Sequence, residues 1–162
     1  MKTLVALVFV PFLLLVVAGC GGGSVAAEAN RVKVIDAFIT EGSMALAVYL
    51  DLDNHGRADR IVGADLVGDS AGLAAKVTLH QTAERDGLSV MEPTDGIDIA
   101  GETDGALRPG DAHIMLEDVS REVTTDDLVS LRLDLDRAED MTIEIRVVTA
   151  DDAVALLTKD TP

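Results

Sequence analysis

Tryptophan is absent from this 162-residue chain, tyrosine occurs once and phenylalanine three times. With so few rings there is no platform on which bases could stack. With 13 Lys and Arg against 29 Asp and Glu there is no basic stripe to meet phosphate. Nucleic acid is therefore not expected as a partner, and attachment to anionic lipid by charge alone is disfavoured for the same reason. Cysteine is nearly missing too. Cys20 stands alone, so no intrachain disulfide can form and the domain must be held by its core. No Ser/His/acid or Cys/His arrangement is present. The acidic pairs Asp126-Asp127 and Asp151-Asp152 read as solvated turns, so an enzyme is not expected.

What the chain does have begins at its N-terminus. Residues 4–18 are uniformly apolar, follow Lys2 and run into Cys20. Fifteen residues fall short of the roughly 20 needed to cross a bilayer, and the order of basic and apolar regions is that of a secretory signal. Val17-Ala18-Gly19-Cys20 resembles the bacterial lipobox, in which the Cys thiol receives a diacylglycerol and becomes the new N-terminus. Acyl chains contribute about 0.8 kcal/mol per buried CH₂, so two or three would anchor the protein stably. Gly21-Gly22-Gly23-Ser24 and the Ala-rich residues after it read as a flexible tether over 20–30. Removing residues 1–19 takes one Lys with it. That leaves 12 basic against 29 acidic side chains, a formal charge of −17, which serves solubility. The expectation is an extracytoplasmic, lipid-anchored domain over residues 31–149, in the periplasm or on the outer face of the cell membrane.

From Arg31 onward the apolar pattern has a period of two. Leu46, Val48, Leu50 and Leu52 alternate with polar or small residues, as do Leu131, Leu133 and Leu135, and Ile143, Ile145 and Val147. Such alternation marks strands with one buried and one wet face. Turn signals fall between them at Asn54-His55-Gly56, Asp86-Gly87, Asp95-Gly96, Asp104-Gly105 and Pro109-Gly110. Eight or nine strands without βα alternation predict an all-β antiparallel sandwich or barrel. Residues 118–129 form the most irregular connection, and the 150–162 tail reads equally as a short helix or a loose end.

Histidine and methionine are scarce beyond the leader, with three and four copies, yet four of these seven form one spaced set: His80, Met91, His113 and Met115. A four-residue loop over Glu84–Gly87 is expected, which makes His80 and Met91 cross-strand partners, near enough to share a ligand. A two-residue Asp86-Gly87 turn would instead oppose His80 to Pro93. His113 and Met115, two apart on a strand, point to one face. Two imidazoles and two thioethers form a soft, uncharged set that favours Cu(I). Zinc sites use Cys, His and carboxylate, and calcium and magnesium want oxygen, so neither suits this cluster. A blue-copper centre needs a thiolate, and the only Cys is committed to lipid. Met44 and Met141 are expected as gap-fillers in the core, and His55 as a solvated turn residue.

The spacing His80…Met91…His113-Ile114-Met115 resembles the H-x10-M-x21-H-x-M motif of the periplasmic PCu(A)C copper chaperones. Tyr49-Leu50-Asp51-Leu52 leading to Asn54-His55-Gly56, Val77-Thr78-Leu79-His80, Met91-Glu92-Pro93 and Leu107-Arg108-Pro109-Gly110 agree with it, and the likeness covers about residues 31–148. The resemblance implies a cupredoxin-like Greek-key fold with His80, Met91, His113 and Met115 holding one Cu(I) at an exposed rim. It implies passage of that copper toward the CuA centre of cytochrome c oxidase, alongside a Sco-like thiol protein. Gln81 and Thr82 stand where many relatives carry a further Met. The His/Met-rich C-terminal extension of some members has no counterpart here, so a second, Cu(II)-type binding mode is not implied. A copper-buffering lipoprotein without a dedicated acceptor and a non-metal structural surface protein remain alternatives at this point.

Overall fold

The computed structural model describes residues 32–159. The expected signal peptide, the lipidated Cys20 and the tether over 20–30 lie outside the described residues. Ten strands follow in order: β1 (Val32–Thr40), β2 (Ala45–Asn54), β3 (Asp59–Leu66), β4 (Ala74–Arg85), β5 (Leu88–Pro93), β6 (Ile97–Ile99), β7 (Thr103–Leu107), β8 (Ala112–Val119), β9 (Leu128–Leu135) and β10 (Met141–Val148). One helix, α1 (Ala150–Lys159), closes the series. The strand number thus exceeds the eight or nine expected, and β6, only three residues long, shows how short a strand can be and still pair.

All ten strands join one continuous sheet in the order β5-β4-β8-β2-β1-β10-β9-β3-β6, with β7 added beside β2. The pairs are antiparallel except β1 with β10, which run parallel. The sheet curls until β3 and β6 lie against β4, and the space it encloses is the core. This is the all-β, cupredoxin-like architecture that the alternation and the resemblance anticipate. Leu46, Val48, Leu50 and Leu52 of β2, Leu131 and Leu133 of β9, and Ile145 of β10 are all buried there with Ile61, Ile114 and Leu116. Each such side chain removed from water contributes roughly 1.5–3 kcal/mol. That burial holds the fold without any cross-link.

Two buried polar residues fasten the loops. Asn54 donates from Nδ2 to the carbonyls of Arg57 (2.9 Å) and Ala100 (2.8 Å), while its Oδ1 accepts from the Gly56 amide (2.9 Å). Asp59 accepts the amides of Arg137 (3.0 Å) and Ala138 (2.9 Å), joining the start of β3 to the β9–β10 turn. The irregular connection after β8 is pinned by the Gly42–Val123 bridge and by Arg121, whose guanidinium meets Asp127 at 2.8 and 3.0 Å. Of the two readings of the C-terminal tail, the helix forms. Thr149 caps it, accepting the Asp152 amide at 3.2 Å and donating its hydroxyl to the Asp152 carboxylate at 2.9 Å. Ala153, Leu156 and Leu157 then pack on Phe38, Tyr49 and Val148.

Candidate metal centre

The three strands β5, β4 and β8 place the four expected donors on one face. Across the β4–β8 ladder, His113 stands opposite His80, Met115 opposite Thr78 and Ile114 opposite Leu79. Leu79 and Ile114 point into the core. Successive side chains alternate, so His80, His113 and Met115 turn to the outer face. Met91 on β5 is opposite Thr82, two residues along β4 from His80, and therefore shares that face.

One expectation fails here. Met91 is not the cross-strand partner of His80; Pro93 is. Asp86 and Gly87 both adopt positive φ, 53° and 78°, which builds the two-residue turn whose twist matches a right-handed hairpin. The four-residue loop gives way to this tighter connection, and β4 and β5 pair right up to Arg85 and Leu88. Because the register differs by two residues, Met91 keeps its face. Met91 and Met115 each stand diagonal to His80, where Cβ atoms lie about 7–8 Å apart, within reach of a long flexible thioether.

The electrostatics at the centre are those of an unsatisfied site. His80 and His113 meet edge-on, ring centroids 5.8 Å apart and planes inclined by 67°. His113 is only 2% exposed. Both of its nitrogens and Nδ1 of His80 are buried without a hydrogen-bond partner. Burial lowers the His113 pKa, and the neighbouring His80 lowers it further, so the ring stays neutral and keeps a lone pair. Buried polar atoms without partners are rare and call for an explanation. A soft cation taking their lone pairs supplies one. Among the described residues no three His, Cys, Asp or Glu side chains cluster as metal ligands, so a cage built here depends on the two thioethers.

Sequence reasoning missed two polar residues at the rim of the pair. Thr78 donates its hydroxyl to Glu117 Oε1 at 2.5 Å and lies 3.3 Å from Nε2 of His80, and the same Glu117 oxygen is 3.8 Å from that nitrogen. A signal was available: Thr78 is two residues before His80 and Glu117 two after Met115, so parity puts both on the donor face.

The remaining singled-out residues fall elsewhere. His55 is exposed, as expected, with Nε2 3.0 Å from Asp53. Met141 packs against the core in part. Met44 does not fill a gap in the core. It is 80% exposed, because it precedes β2 in a bend rather than occupying a core-facing strand position. Cys20 lies outside the described residues.

Solved structures share this fold. The apo PCuAC domain from PmoF1 superposes with a TM-score of 0.59 at 15% identity, covering 75% of this chain and 96% of that domain. The copper-bound PCuAC domain from PmoF2 gives 0.57 at 18% identity, with 75% and 95% covered. Apo-DR1885 from Deinococcus radiodurans, a solution structure, gives 0.53 at 19%, with 92% and 97% covered. No curated protein matches the sequence. A family model does, over residues 26–147, a span that begins ahead of β1, ends one residue short of the end of β10 and takes in all four donors. The chain belongs to the LpqE-like lipoprotein family and carries the PCuAC type of fold.

Proposed function

We propose that this protein is an extracytoplasmic copper chaperone that binds one Cu(I) through His80, Met91, His113 and Met115 and hands it to an acceptor. The observation that carries the reading is the His80–His113 pair, with three buried, partnerless imidazole nitrogens and a methionine on either diagonal of His80. Neutral nitrogen and thioether sulfur suit a soft monovalent ion, and such ligands exchange one at a time with an incoming thiolate or imidazole. The copper-bound state of the PmoF2 domain supports copper as the cargo. The acceptor is proposed to be a CuA-type centre of cytochrome c oxidase, with a Sco-like thiol protein acting beside it. The lipobox supports anchoring at Cys20, which confines delivery to the membrane surface; no helix among the described residues is long and apolar enough to cross a membrane.

The test is an anaerobic Cu(I) titration against a chromophoric chelator, followed by mixing with an isolated CuA domain. One Cu(I) per chain and its appearance on the CuA domain are expected. Unchanged affinity in a Met91→Leu, Met115→Leu double variant would remove the site assignment. Tight binding with no transfer would turn the role into copper buffering.

A further inference from the structure

Resting on the copper reading, we infer that Thr78 and Glu117 are positioning residues that fix the tautomer of His80 and so select Nδ1 as its metal-binding nitrogen. A proton count assigns the tautomer. The Thr78 hydroxyl has a single hydrogen, which it donates to Glu117 Oε1 at 2.5 Å. Its oxygen is then left only with lone pairs toward His80 Nε2, 3.3 Å away. A hydrogen bond across that gap requires the proton on Nε2. A neutral imidazole carries one N–H, so Nδ1 holds the free lone pair. Nδ1 is the His80 atom that is buried without a partner. The chain therefore runs from imidazole N–H to hydroxyl to carboxylate.

This is the arrangement by which outer groups orient a metal-binding histidine and raise the basicity of its other nitrogen. The sheet makes it rigid: Thr78 and His80 sit on one strand, and Glu117 is two residues from Met115, the cross-strand partner of Thr78. His113 has no such partner at either nitrogen, so the two imidazoles of the site are not equivalent.

The tautomer can be read without copper, by long-range ¹H–¹⁵N correlation spectra of the metal-free full chain at mildly alkaline pH. His80 should appear as the Nε2–H form. Thr78→Val should abolish that preference, and Thr78→Ser should restore it. Glu117→Leu frees the Thr78 hydroxyl to donate to Nε2, so it should move His80 toward the Nδ1–H form; its half-exposed position keeps the test available if Thr78→Val folds poorly. Cu(I) affinity of Thr78→Val and Glu117→Leu should fall by about tenfold, the scale of lost outer-sphere support. A wild-type His80 found as Nδ1–H would overturn the inference, as would spectra that neither variant changes. Failure of wild-type protein to bind Cu(I) would instead strike the copper reading, and the tautomer result would tell the two failures apart.

Discussion

His80 and His113 face one another across the β4–β8 ladder with ring centroids 5.8 Å apart, and only Nε2 of His80, beside Thr78, has a partner among their four ring nitrogens. A hydrogen-bonded pair of histidines would be a structural feature. A pair with its lone pairs left over is a site kept at a cost to stability.

That cost can be measured. Leaving a buried polar group unsatisfied costs about 1–3 kcal/mol, and an apolar replacement of similar shape removes the penalty. His113→Leu is therefore expected to raise the urea midpoint of the metal-free protein, by about 1 kcal/mol or more in stability. The same substitution should abolish stoichiometric Cu(I) binding. A less stable variant would mean that the His113 ring is satisfied in some other way.

Met91 should affect binding with little effect on stability. Met91 is 53% exposed, so Met91→Leu should leave stability within about 0.5 kcal/mol of the parent. Its Cu(I) affinity should fall by roughly tenfold or more, a loss of about 1.4 kcal/mol for each factor of ten. Competition titration and chemical denaturation of the same preparation separate the two effects.

Gly87 tests the hairpin that carries Met91. At φ 78° a β-branched side chain is strained, and Gly87→Val should destabilise the protein by about 1–2 kcal/mol. Amide exchange should quicken first in β5, which is paired to β4 alone.

Asn54, at the end of β2, is expected to matter more than the last residue of a strand usually does. Asn54→Ala strips partners from the Arg57 and Ala100 carbonyls and the Gly56 amide at once. A loss of about 2–4 kcal/mol is expected on denaturation, the sum of several orphaned backbone groups.

Asp127 gives a pH dependence of known sign. The Arg121 guanidinium, then the Thr124 amide, hold its carboxyl down from 3.8 to about 2. A depressed carboxylate contributes stability above its unfolded value and loses it as pH falls toward the folded one. The difference in midpoint between wild type and Asp127→Asn should be present at neutral pH, shrink below about pH 4 and vanish only below about pH 2.

The strands were legible because the sheet buries one side of each, so Leu131, Leu133 and Leu135 announce themselves by alternation. The faces of the four donors were legible for the same reason. Parity survives a register error of two, which is why Met91 ends on the correct face although its partner is Thr82 and not His80. The register itself was not legible. It depends on Asp86 and Gly87 both adopting positive φ, and the residues 84–87 fit either loop length. Neither could the burial of His113 be read from its neighbours in sequence, since it depends on the strands laid beside β8. The start of α1 was not legible either: the tail read equally as helix or loose end, and the Thr149–Asp152 cap that decides it is seen only in the structure.

Met91, His80 and His113, on three successive strands, lie at three different depths. Met91 lies on β5, the outermost strand, and is half open to solvent; the His80 side chain is 16% exposed, and His113 one strand further in is nearly sealed. In the proposed handover, an acceptor approaching from solvent would meet the Met91 sulfur first and the His113 nitrogens last. For an ion held between them, exchange would begin at the rim and finish at the floor. On the proposed function, the ion would stay held from beneath while new ligands close over it, which would limit its escape into bulk water.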